Sequence, residues 1–161
     1  MDEVDWAGLT HAYGTAEDVP GLIRGLLSPD AGERHEVRHE LYSCIVHQGS
    51  RCPATAAAVP FLVELVADPE TPDRGELIGF LEYAATGREQ QTWKRYPVEE
   101  LRTAAYDAVA LGVPLFVELT ADEDAELAGP AAQALAVFPE HACTRSRCWP
   151  RSPPATTLRS R

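Results

Sequence analysis

At 161 residues with 45% hydrophobic side chains, the chain has material for one folded domain with a continuous core. No apolar run approaches the roughly 20 residues that span a bilayer, and the acidic start Met1-Asp2-Glu3-Val4-Asp5 is unlike a secretory leader, so a cytoplasmic protein without membrane contact is expected. The net charge of −11 understates the local field, because all 25 Asp and Glu lie at or before Glu140 beside only nine of the 14 Lys and Arg. Such a surface repels phosphate backbones and argues against nucleic acid as a partner.

Apolar residues recur at three- and four-residue spacing, Gly and Pro punctuate the chain, and strand signals are nearly absent, so the reading is all-α. Asp5 is placed to cap a short helix through Tyr13 that Gly14 ends. Asp18 is placed to cap a second one, with Pro20 in its first turn, that ends near Ser28. The spacing then predicts a helix from Asp30 to Gln48, stopped by Gly49, that buries Val37, Leu41, Cys44 and Ile45. A further pair follows, from Thr55 to Val66 and from Thr71-Pro72 to Gly87, the latter presenting Leu77, Ile78, Leu81 and Ala85. Residues 87–97 break the pattern as an insertion loop, whose Trp93 and Tyr96, beside Lys94 and Arg95, are candidates for anchoring a partner. Helices from Val98 to Leu111, Val113 to Ala121 and Ala125 to Phe138 complete the body.

One phrase occurs three times: Val19-Pro20-Gly21-Leu22, Val59-Pro60-Phe61-Leu62 and Val113-Pro114-Leu115-Phe116, each running into an acid-bearing loop. A recurring helical unit of this kind marks a solenoid. Together with the stretches from Trp6 to Gly14 and from Ala16 to Leu22, these phrases resemble the HEAT-repeat proteins of the actinobacterial type, over about residues 4–140. The resemblance implies a right-handed superhelix of about three antiparallel helix pairs in residues 1–141, and a non-catalytic protein-binding scaffold. It also implies that Asp30 with Arg34, and Asp68 with Arg74, pair within and between repeats, while the third unit has Glu126-Leu127 where the arginine belongs. Recognition is expected on the inner face, made by the second helix of each pair, and its acidity points to basic partners. Residues 142–161, rich in Arg, Ser and Pro and without an acid, are expected to be disordered. They provide no polar cap for the solenoid, so self-association through that end is expected.

His35-Glu36-Val37-Arg38-His39 matches H-E-x-x-H, in which two histidines one turn apart bind zinc and the glutamate activates water. With Val37 as zero on a helical wheel, Leu41, Cys44 and Ile45 cluster within about 80°, whereas His35 and His39 fall near about 160° and 200°. The pair thus points away from the core. The extended pattern fails, since Tyr42 and Ile45 stand where glycine and a third histidine belong. Arg34, His35, Arg38 and His39 are therefore read as a solvated, partner-binding face without metal or cofactor, and a metal-dependent hydrolase is the alternative. Cys143 and Cys148, with His141, match no common zinc spacing.

Overall fold

Residue 1, residues 3–87 and residues 98–139 are described by the computed structural model. The insertion loop beyond Gly87, with Trp93 and Tyr96, and the tail of residues 142–161 lie outside them. The described residues hold seven helices: α1 (Val19–Gly25), α2 (Ala31–Ile45), α3 (Pro53–Ala67), α4 (Arg74–Thr86), α5 (Val98–Ala110), α6 (Val113–Leu119) and α7 (Ala125–Ala136). None of these helices is long and apolar enough to cross a membrane.

The helix expected from Asp5 to Tyr13 does not form. Its place is taken by turns and a two-residue antiparallel hairpin, β1 (Thr10–His11) and β2 (Gly14–Thr15), in which Thr10 faces Thr15 and His11 faces Gly14. Local hydrogen bonds compete with the helix here: the Asp5 carboxylate accepts from the Gly8 N–H at 3.1 Å, and the Trp6 indole donates to the Met1 carbonyl at 3.1 Å. Tertiary contacts decide the outcome. Trp6 is buried against Phe61, β1 packs on α3, and the Ala12 N–H reaches the Cys44 carbonyl in the last turn of α2 at 3.0 Å. The hairpin thus satisfies an orphan carbonyl that a helix end leaves open.

Asp30 caps α2 as expected, accepting from the Gly32 and Glu33 N–H groups at 2.7 and 3.1 Å. Asp18 occupies the corresponding place before α1 yet makes no capping bond; its carboxylate turns to His11 instead, 2.9 Å away. α2 stops at Ile45, sooner than expected, and a 3₁₀ turn over His47–Gly49 carries Gln48 at φ 51°. α3 is secured by a reciprocal start, in which Thr55 Oγ1 accepts from the Cys52 N–H and donates to the Ile45 carbonyl. α4 begins at Arg74, because Asp73 adopts the left-handed conformation at φ 54°, ψ 32°.

Consecutive helices pack as pairs, α1 on α2, α3 on α4 and α6 on α7, and α4 packs on α7. α5 packs on both α3 and α4, so the neighbour of α3 on the far side is α5 and not the Val-Pro helix α6. The Val-Pro phrase opens α1 and α6, with its proline in the first turn of each, but falls in the interior of α3. One core runs through these layers, with Ile23, Leu41, Ile45, Leu62, Ile78, Leu81, Phe116 and Phe138 fully buried.

Thr71 is a small flaw in this interior. Its hydroxyl is buried and finds no hydrogen-bond partner among the described residues. Thr71→Val removes the unsatisfied oxygen at equal volume and is expected to raise stability by about 1 kcal/mol, read as a higher urea midpoint at unchanged slope.

Candidate functional site

Three helices that are far apart in sequence, α2, α4 and α7, enclose a groove of about 1100 Å³. Its α2 wall carries His35, Arg38, His39 and Tyr42; α4 contributes Glu76, Phe80 and Tyr83; α7 contributes Glu126, Leu127 and Pro130. These are the second helices of the three pairs, the elements expected to carry recognition. The groove floor is aromatic: Tyr42 stacks on Tyr83 with ring centres 5.0 Å apart and planes 25° apart, and Phe80 meets Tyr42 edge-on at 5.5 Å.

The basic groups of the wall are engaged inside it. Arg34 Nε donates to Asp73 Oδ2 at 2.7 Å and its Nη1 to the Ser28 carbonyl at 2.9 Å. Arg38 lies 3.6 Å from Asp73 and 3.8 Å from Glu76, and its Nη2 faces His35 Nδ1 at 3.4 Å. Arg74 Nε donates to the Val66 carbonyl at 2.8 Å. The expected Asp30–Arg34 and Asp68–Arg74 pairs are therefore not what forms. Asp30 is spent on its helix cap and Asp68 accepts from the Glu70 N–H, while the two arginines, 40 residues apart, reach back to carbonyls instead, Arg34 to Ser28 in the turn after α1 and Arg74 to Val66 in the last turn of α3. The link between successive pairs is Arg34 to Asp73. Among the described residues, Glu82 and Glu126 have no basic partner.

The Arg34 guanidinium, and behind it Arg38, holds the Asp73 carboxyl below the usual carboxylate range against a smaller opposing effect of burial. A depressed folded-state value favours folding above the ordinary aspartate value of about 3.9 and loses that contribution as pH falls through the folded one. In acid titrations of the urea midpoint, Asp73→Asn is expected to fall less steeply below about pH 4 than the parent chain.

The structure brings four of the candidate residues, Arg34, His35, Arg38 and His39, onto one face of α2. Both histidines are exposed, as the wheel expects, and among the described residues no third His, Cys, Asp or Glu donor joins them. The cationic Arg38 beside His35 Nδ1 adds a repulsive neighbour for any metal ion there. Trp93 and Tyr96 lie outside the described residues. Sequence reasoning missed the aromatic floor, although Phe80 and Tyr83 stand at helical i, i+3 spacing on the side of α4 that Tyr42 faces from α2. It also missed Asp73, whose left-handed backbone has no signature in an aspartate followed by arginine.

Cys44 and Cys52 are both buried free thiols. Burial, with Asp18, Glu40 and Cys52 nearby, pushes the Cys44 thiol up to about 11, and burial likewise raises Cys52.

Set beside protein-family models, curated proteins and solved structures, the chain matches none of them.

Proposed function

We propose that this protein is a non-catalytic, cytoplasmic binding scaffold: a short HEAT-like right-handed superhelix whose groove among α2, α4 and α7 receives a basic segment of a protein partner. One observation carries the reading. The groove is built from the second helix of every pair, its arginines are occupied within the wall, and Glu82 and Glu126 face it without a basic partner among the described residues. An arginine or lysine side chain entering there gains carboxylates at the rim and the face of a tyrosine at the floor. The 40-residue step from Arg34 to Arg74, each of which donates to a carbonyl upstream of its own helix, supports the repeat reading, since repeats of this class run about 40–47 residues.

A reading based on charge complementarity predicts salt-sensitive binding. The full chain, titrated against a fluorescent Arg- and Lys-rich peptide, is expected to bind at low salt and release it as salt rises. Glu82→Lys with Glu126→Lys is expected to weaken that binding at least about tenfold at unchanged helix content. Equal affinity for an acidic peptide of the same length, or indifference to both substitutions, would sink the proposal. Affinity capture from the native cell at low and at high salt then identifies the partner.

A further inference from the structure

We propose that His11, Asp18 and Cys44 form a binding site for a zinc-class divalent cation, at the corner where the hairpin, α1 and α2 meet. A ring nitrogen of His11, an Asp18 carboxylate oxygen and Cys44 Sγ lie within 4.8 Å of one another, with Nε2 the nitrogen that faces Asp18, and no other group of three such donors occurs among the described residues. The three come from three separate segments: a strand, the residue ahead of one helix and the last turn of another. They supply a nitrogen, an oxygen and a sulfur, a donor set that suits a borderline cation such as zinc.

The dimensions fit. A tetrahedral ion with bonds of about 2.0–2.3 Å holds its ligands about 3.3–3.7 Å apart. His11 and Asp18, now 2.9 Å apart, need to open by only about half an ångström, a motion that exposed Asp18 allows, while Cys44 draws in. Asp18 is already committed to this corner, since it stands at a helix N-cap and leaves that helix uncapped in order to face His11. His11 is buried and Asp18 is half-exposed at its side chain, so one side of the cluster is open for water to complete the coordination.

The protons balance as follows. His11 Nδ1 accepts from the Tyr13 N–H at 3.0 Å, which places the ring proton of neutral His11 on Nε2, toward Asp18. When the ion takes the Nε2 lone pair, the ring proton relocates to Nδ1 and the Tyr13 hydrogen bond opens. Cys44 binds as thiolate and releases one proton to solvent. The Tyr13 amide therefore reports on occupancy.

Chelator-treated full chain titrated with cobalt(II) tests the site, because thiolate-bound cobalt absorbs in the near ultraviolet and tetrahedral cobalt in the visible. One equivalent is expected, with both bands present, zinc displacing it, and the Tyr13 amide resonance moving. Cys44→Ser should abolish the thiolate band, and Asp18→Asn, at an exposed position that leaves the core intact, should weaken binding by more than about tenfold at unchanged circular dichroism. A chain carrying Cys143→Ser, Cys148→Ser, His35→Ala and His39→Ala should keep the band. The proposal is overturned if no band forms, if the band survives Cys44→Ser, if affinity is unchanged in Asp18→Asn, or if the band disappears in the four-fold variant.

Discussion

Arg51→Met is expected to cost about 3 kcal/mol of stability, although the residue does not line the groove. Arg51 is buried just ahead of α3, where its Nε donates to the Ala84 carbonyl at 2.9 Å and its Nη2 to the Ala85 carbonyl at 2.7 Å. Those carbonyls belong to the last turn of α4, which has no intrahelical donors for them, and a cation there also meets the negative end of the helix dipole. Methionine keeps the apolar stem but removes two charge-assisted bonds and leaves both carbonyls buried. Gly87 completes the arrangement: it sits at φ 48°, and a Cβ on it would run into the guanidinium. Urea unfolding at constant slope measures the loss. Arg51→Lys should recover only part of it, because one ammonium cannot reach two carbonyls in fork geometry. A midpoint for Arg51→Met within experimental error of the parent would refute this account of how α4 ends.

Gly75→Val should have a comparable effect for a steric reason, about 3 kcal/mol. Gly75 is in the first turn of α4, and a Cβ there would collide with the Glu126 carbonyl of α7, with the Glu126 carbonyl carbon at 3.2 Å and Pro130 Cγ at 3.7 Å. The obstacle is backbone, which cannot rotate aside, so α4 and α7 have to separate and the groove between them widens. Gly79, one turn further along α4, has nothing within 4 Å of its hypothetical Cβ. Gly79→Ala on the same helix is therefore the control, expected to stabilise by up to about 1 kcal/mol. Opposite signs at two glycines four residues apart would establish that helix contact, and not helix propensity, governs Gly75.

The parts of this fold that could be read from the sequence are those set by periodicity. From α1 onward the expected helices match those that form to within a few residues, because apolar spacing and the Asp30 and Gly87 boundaries agree with the packing, whereas α2 ends four residues short of its expected stop at Gly49. The failures share one cause, which is that a residue's partner lay outside its local window. Asp5 and Gly14 frame a plausible helix, but Trp6, His11 and Ala12 find better partners in Phe61, Asp18 and the Cys44 carbonyl. Arg34 pairs across to Asp73, not back to Asp30. Arg51 carries no periodic signal in the sequence, yet its side chain closes the end of α4 from 33 residues away. Of the groove, the outward face of α2 was legible, while its aromatic floor required knowing how α4 lies beside α2.

The residue that joins α2 to α4 is also the one that starts α4. The span from Asp68 to Asp73 therefore acts as a gauge for the phase between helix pairs. One residue added there displaces the Asp73 carboxylate by up to about 3.5 Å, more than a 2.7 Å hydrogen bond can follow. Length drift in this loop, ordinarily tolerated at a surface, would be registered first as a rotation of one helix pair against the next, while the core beneath remained whole.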